Sequence, residues 1–461
     1  MKTTLKFCIT ANASLFIGGI IYFCLQGTPY GDSAVSRRIR HGAGQARSLL
    51  ASGVVHVAAS RLSFSEPVRD LRDVSGASLR AEPWLTDNGT TVTVSWENIH
   101  SPSISQPFDW VGLYCTSGAD GRAYLDYSFI SESPTHAEGR GSLKFVLYNL
   151  RTDCEFRYYQ NSTLTTLLAV SNKVNFRGGK SRPLRGHLAL TEDPTQMRVS
   201  WTTGSSTRPV VYYGLSRDNL TLSATGTSKT YTISDLCGPP ANDSSFFVDP
   251  GSLHDVLLTN LKPKTMYYYK YGSGVSFSEV KNFTTAVVAG DTTRFKFIMY
   301  GDMGLSSPPG AETTAQLVLN EVLGGAAFVM HQGDLSYALG RAVKWDTWMN
   351  LIEPYASLAP YMIGIGNHEY DHEVGGSKDP SHTGGEGFHP EWGNFGYDSA
   401  GECGVPPFYR FHMPDNGNSV FWYSFDYGLV HFTVISTEHD FTPGSPMYSW
   451  IEKDFQSVNR N

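Results

Sequence analysis

Three short apolar runs in the last third of the chain each lead to a glycine followed by an oxygen-bearing side chain. This recurrence constrains the fold more than any other feature. Phe295-Lys-Phe-Ile-Met-Tyr300 ends in Gly301-Asp302, and Ala326-Ala-Phe-Val-Met330 leads into Gly333-Asp334. Tyr361-Met-Ile-Gly-Ile365 ends in Gly366-Asn367. Helical patterns fill the spacers, near Thr313–Leu323 and over Ala342–Tyr355. Strand, helix, strand, helix, strand predicts a mostly parallel sheet in an α/β domain from about Arg294 onward. Ligands of such sheets bind beyond the carboxyl ends of the strands, where all three Gly-plus-oxygen pairs fall.

The residue types at those ends suit one chemistry. The ends read Gly301-Asp302-Met303-Gly304, Gly333-Asp334-Leu335-Ser336-Tyr337 and Gly366-Asn367-His368-Glu369. Glycine lets the backbone turn tightly and brings the next side chain close to a bound ion. Two carboxylates, a phenol and an amide oxygen are hard ligands, suited to oxygen-loving cations. A metal pair can grip a phosphate ester, acidify a bound water and stabilise the leaving oxygen. One Gly-Asp alone reads as a turn; three in order, each after its own apolar strand, read as a site.

Upstream the pattern is all-β. Val92, Val94 and Trp96 alternate, as do Leu143, Phe145 and Leu147, and Phe108–Cys115 reads as another strand. Residues 80–177 are therefore expected to form a β-sandwich. Gly178-Gly-Lys-Ser-Arg-Pro183 is a turn-rich linker. A second β-module is expected over 183–288, from the strands Met197–Trp201, Pro209–Tyr213 and Thr265–Tyr271. Its early Trp and Tyr-rich late strand are similar to those of a fibronectin type III sandwich. The aromatics are expected to be core packing. The expected fold class is thus multi-domain: two N-terminal β-sandwich modules, then an α/β domain over 293–461.

The leader region sets the compartment. Lys2 and Lys6 precede an apolar run from Phe7 to Leu25, so residues 1–33 read as a signal peptide or an uncleaved signal-anchor. Arg37, Arg38 and Arg40 follow it and mildly oppose translocation. Residues 34–79 lack a sustained period and are expected to be flexible. Sequons at Asn88, Asn161, Asn219, Asn242 and Asn282 are candidate glycosylation sites. Cys115, Cys154, Cys237 and Cys403 are an even set without a CxxC pair, as expected of disulfides outside the cytosol. Cys115 with Cys154 keeps the first module self-contained, which leaves Cys237 for Cys403. Secretion or membrane tethering follows from whether the leader is cleaved. The net charge of -7 and the absence of a basic run argue against a nucleic-acid partner.

With GDMG, GDLSY and GNHE in place, the chain resembles the purple acid phosphatases, within the calcineurin-like metallophosphoesterases. The family pattern runs GDxG, GDxxY, GNH[ED], VxxH, GHxH. The tyrosine of the second motif marks the purple subgroup. The resemblance runs from about Pro83 to the C-terminus. The upstream modules and Ser436–Pro446 look like the large plant- and oomycete-type members, which carry an extra N-terminal β-domain. The resemblance implies that Asp302 and Tyr337 bind Fe(III). Asp334 would bridge two metals, and Asn367 would bind a divalent ion: iron, zinc or manganese. His368 would be the catalytic histidine that orients substrate or hydroxide, or else a satisfied hydrogen-bonded imidazole. It implies no role for Glu369.

VxxH and GHxH do not occur before Asn461, so the last domain is expected to be C-terminally incomplete. Of the histidines after the third motif, His372, His382, His389, His412 and His431 stand outside any family pattern. His431 is expected in strand packing, and His439 is the one candidate substitute ligand. The implied activity is hydrolysis of small phosphate monoesters at acid pH by a metal-bound hydroxide, doubtful in this chain as it stands. The alternatives are a nucleotide pyrophosphatase or phosphodiesterase of the same family, and a non-catalytic secreted β-sandwich binding protein.

Overall fold

The computed structural model describes residues 77–99, 108–115, 120–162, 164, 166–274, 276–305, 310–370, 376–383 and 397–459, and the backbone of 21–25. The expected leader and flexible segment lie almost wholly outside these residues. The exceptions are Ile21–Leu25, a strand antiparallel to Val430–Val434, and Ser78–Leu79, which begin the paired strand Ser78–Glu82 and so correct the expected flexible boundary at 79. No helix among the described residues is long and apolar enough to cross a membrane.

The first module is built from period-two strands. Thr90–Glu97 buries Val92, Val94 and Trp96 and turns its charged and hydroxyl positions outward. It pairs antiparallel with Ser78–Glu82 on one side and Gly141–Leu147 on the other. A second sheet has the order Asp126–Phe129, Trp110–Tyr114, Glu155–Tyr159, Leu167–Val170. Val111, Leu113, Phe156 and Tyr158 from this sheet join Val92, Val94 and Phe145 in one core. Trp110–Tyr114 is buried along its whole length, because its outer face carries a further cluster of Trp110, Tyr114, Tyr159 and Leu164. Cys115 and Cys154 are bonded, as their shared module implied.

The second module has two antiparallel sheets. One runs Leu184–Ala189, Met197–Thr203, Ser252–Leu258, Thr227–Lys229. The other centres on Val210–Gly214 and Met266–Ser273. Every residue of Leu184–Ala189 is buried, which an exposed edge strand would not be. Beyond it lies the third unit: Leu188 bridges in parallel to Pro360. Glu353 accepts hydrogen bonds from the backbone N–H groups of Arg185 and Gly186.

The third unit holds a parallel sheet of β1 (Ile298–Tyr300), β2 (Val329–Gln332) and β3 (Tyr361–Gly364), in that order. Helices α1 (Ala311–Leu323) and α2 (Ala342–Ala356) supply the crossovers. The first strand is shorter than its apolar run, yet Phe295 and Phe297 still pack with Phe328. One hydrophobic core extends from Trp201, Tyr269 and Tyr271 through Trp345 and Trp348 to Phe425 and Phe432. The expected break near residue 290 is therefore a boundary in sequence but not in packing.

Candidate metal centre

All three strand tips converge. Asp302 follows β1, and Asp334 and Tyr337 follow β2. Each has a positive φ, at 56°, 53° and 48°. Non-glycine residues avoid this left-handed region, and such conformations cluster at functional sites. The tips hold one another in place: Asp302 N donates to Gly333 O at 3.3 Å and Gly304 N to Leu335 O at 3.1 Å. Two glycines make room. A Cβ on Gly366 would overlap Asp334 Oδ1, and one on Gly304 would press on the Tyr337 ring.

The Tyr337 hydroxyl lies 3.1 Å from Asp302 Oδ1 and 2.9 Å from Asp334 Oδ2, donating to the pair. His368 N donates to Asp334 Oδ1 at 3.3 Å, and the imidazole lies 4.3 Å from the Tyr337 ring, tilted to it by 43°. Asn367 stands beside His368 with its Nδ2 donating to Asp398 Oδ2 at 2.8 Å. Asp302, Asp334, Tyr337 and His368 are thus brought into direct contact. Asn367 is held by Asp398.

Glu369, for which sequence reasoning had no role, organises the cluster from beneath. It is fully buried and accepts from Asp334 N and Leu335 N at 2.8 Å and from Gly366 N at 3.2 Å. Two of the three tips therefore hang on one carboxyl group. The available signal was an acidic residue one position past two site residues and directly after an apolar strand. Asp398 and Glu402 were also missed, because they lie in a loop without periodic pattern.

Electrostatics suit a cation. Burial pushes the Asp334 carboxyl up to about 6, although His368 and the Tyr337 hydroxyl favour its charged form. Burial and the two facing carboxylates raise the Tyr337 phenol well above its usual value. Oxygens that resist ionising side by side are what a multivalent ion reverses. Ligands adjacent on an octahedron with metal–oxygen distances of about 2.0–2.1 Å stand roughly 3 Å apart, the spacing found at Tyr337. His, Cys, Asp and Glu alone form no metal-holding group of three among the described residues; a phenol completes the set. Asp302, Asp334 and Tyr337 thus fit a hard ion such as Fe(III).

Most of the other described histidines have partners outside the cluster. His439 is buried, its Nδ1 2.8 Å from Ser436 Oγ and its ring stacked on Tyr370. His431 lies between Asp426 and Asp454. His331 is turned into the core, 2.6 Å from the Tyr361 hydroxyl. His412 faces Asp255, and His382 is exposed. His372 and His389 are outside the described residues.

The cysteines pair as expected, Cys115 with Cys154 and Cys237 with Cys403. Of the sequons, Asn161, Asn219 and Asn242 are exposed, and Asn282 is half-buried in a strand. Asn88 differs: its Nδ2 donates to Asn350 Oδ1 and its Oδ1 accepts from Asn149 N, both at 2.8 Å. A glycan on that nitrogen would break the contact with α2.

A parallel sheet whose carboxyl ends bring Asp302, Asp334 and Tyr337 together, set behind β-rich N-terminal modules, defines a multi-domain protein with an α/β unit. Residues 183–285 match the family described as "Purple acid Phosphatase, N-terminal domain". The chain is 34% identical to "Probable inactive purple acid phosphatase 9" of Arabidopsis thaliana, over 82% of this chain and 62% of that protein. It is 32% identical to a "Nucleotide pyrophosphatase/phosphodiesterase" of Hordeum vulgare, over 40% of this chain and 49% of the other. The solved purple acid phosphatase PPD1 from yellow lupin (Lupinus luteus) seeds superposes with a TM-score of 0.71 at 29% identity, covering 84% of this chain and 71% of that one. The chain belongs to the purple acid phosphatase family. It spans less than two thirds of the length of the first Arabidopsis relative.

Proposed function

We propose that the protein is a phosphate-monoester hydrolase of extracytoplasmic compartments, and that this chain carries the oxygen-ligand half of its dinuclear site. The observation that carries the reading is the Tyr337 hydroxyl between Asp302 and Asp334 at 3.1 and 2.9 Å. In this reading Asp302 and Tyr337 hold Fe(III), Asp334 is shared, and Asn367 faces a divalent ion. When bound, such a pair supplies Lewis acidity toward phosphate oxygens and acidifies a water. Glu369 keeps the second and third tips in register, and His368 stands where it can orient a phosphate oxygen or move a proton. Two disulfides support an oxidising compartment. The two-sheet second module, with Trp201 and Tyr271 in its core, supports a fibronectin type III-like assignment.

A second reading, a non-catalytic metal-binding member, has its own support. The Arabidopsis relative is named probable inactive. Among the described residues, His368 is the imidazole beside the cluster, and a neutral amide with half a carboxylate is a poor set for a divalent transition metal.

The test is spectroscopic. The 461-residue protein loaded with Fe(III) is expected to show a phenolate-to-iron charge-transfer band, lost in Tyr337→Phe. An unchanged band in that variant overturns the assignment of Tyr337. Hydrolysis of a chromogenic phosphomonoester at acid pH by the iron- and zinc-loaded chain is expected to fall at least ~10²-fold below an active relative, the lower bound for losing general acid–base help. Comparable turnover would refute the half-site reading.

A further inference from the structure

Segment 397–404 lies outside every sequence motif, yet it reaches Asn367 and His368. Asp398 touches it twice. Its Oδ2 accepts from Asn367 Nδ2 at 2.8 Å, and its backbone carbonyl lies 3.2 Å from His368 Nδ1. An ionised carboxylate and a carbonyl can only accept. The two ends of an asparagine amide are nearly alike in shape, so the hydrogen-bond partner decides which end faces where. A carboxylate selects the NH₂ end and turns Oδ1, the end able to bind a cation, away from itself. A carbonyl likewise requires hydrogen on His368 Nδ1 and leaves Nε2 as the basic nitrogen.

The segment is itself held on two sides. Cys403 is bonded to Cys237 of the second module. Gly401 O accepts from Cys237 N at 2.9 Å and from Gly238 N at 3.3 Å, and Ala400 O accepts from Ala241 N at 3.2 Å. On the other side Gly404 N donates to Glu369 O at 2.7 Å. Glu402 accepts from Gly340 N at 3.1 Å and from Trp345 Nε1 at 2.8 Å.

We propose that Asp398 is a positioning residue: its carboxylate presents Asn367 Oδ1 to a divalent cation, and its carbonyl fixes His368 as the Nδ1–H tautomer. The inference rests on the phosphoesterase-site reading above. Cobalt(II) is the probe, titrated into Fe(III)-loaded 461-residue protein. Asp398→Ala is expected to weaken cobalt binding roughly 10–100-fold, the usual effect of removing a group that orients a metal ligand. The phenolate–iron band is expected to stay, because Asp398 bonds to none of its ligands. Asp398→Asn, whose amide can meet either end of Asn367, is expected to lose less and covers the case in which the alanine variant does not fold. Unchanged cobalt affinity in a folded Asp398→Ala protein overturns the proposal. A metal-free measurement is independent of both ions: the imidazole ¹⁵N shifts of His368 in the wild-type protein are expected to report Nδ1–H. An Nε2–H tautomer overturns the second half. If the wild-type protein shows no iron band at all, the site reading itself fails, and the ¹⁵N shifts still judge Asp398.

Discussion

Glu402 carries a loop and a helix on one carboxyl group. Burial pushes that group up to about 7, even though Gly340 N–H, Trp345 Nε1–H and the nearby Arg410 favour its charged form. A folded-state value above the unfolded one means that the native state binds the proton more tightly. Its contribution to stability is fully present below about 4.5 and is lost as pH rises through about 7. A shift of this size corresponds to on the order of 3 kcal/mol. Glu402→Gln, neutral at every pH, is expected to flatten the fall in chemical-denaturation stability between pH 4.5 and 7.5. A variant whose profile parallels the wild type would refute this. Asp302, Asp334 and Tyr337 were legible in the sequence because they follow the first and second apolar strands of the parallel sheet. Glu369, Asp398 and Glu402 were not, since their roles are hydrogen bonds to backbone groups or amides that only folding brings near. Asn88 shows the converse: its sequon is local and legible, but the contact that occupies its amide comes from 262 residues away.

At the scale of elements, helix Pro446–Ser457 shows how an amphipathic segment is started and then pinned. Proline opens it and Ser445 caps it, its side chain accepting from Tyr448 N at 3.1 Å. Asp454 then anchors it to the strands Tyr423–Tyr427 and Val430–Val434, accepting from Ser424 Oγ at 2.6 Å and Thr433 Oγ1 at 2.8 Å and pairing with His431 at 3.0 Å. Burial disfavours the imidazolium, but Asp426 and Asp454 outweigh it and raise His431 to about 9. The pin is therefore fully present below about 6.5 and is lost as pH rises through about 9. The melting temperature is expected to drop over that window in the wild type and to drop less in His431→Gln. Equal drops would refute the pin. The anchor was not legible in the sequence, because Ser424 and Thr433 are buried strand residues that only folding brings beside Asp454.

On the scale of the whole molecule, Asp346 of α2 joins the three units. Arg151 of the first module approaches it at 2.6 Å, Arg410 of the third at 3.1 Å and Arg185 of the second at 3.5 Å. All four side chains are buried. Burial opposes the charge, yet the three guanidinium groups hold the Asp346 carboxyl below its usual range. Asp346→Ala leaves three cations facing one another without water and is expected to cost about 3–5 kcal/mol, the range for breaking a buried pair, as read by urea unfolding. A loss below about 1 kcal/mol, the scale of an exposed pair, would show that the junction is wet. The sequence by itself determined the strand–helix alternation of the parallel sheet and the three strand tips that end in glycine plus an oxygen-bearing side chain. These depend on period, glycine and neighbouring residues, which are local. Only the tertiary structure decided that the second and third units share one core, that Asp346 gathers an arginine from each unit, and that Asp398 reaches Asn367. Those arrangements depend on which faces meet, and burial energy rewards any apolar face without naming its partner in the chain.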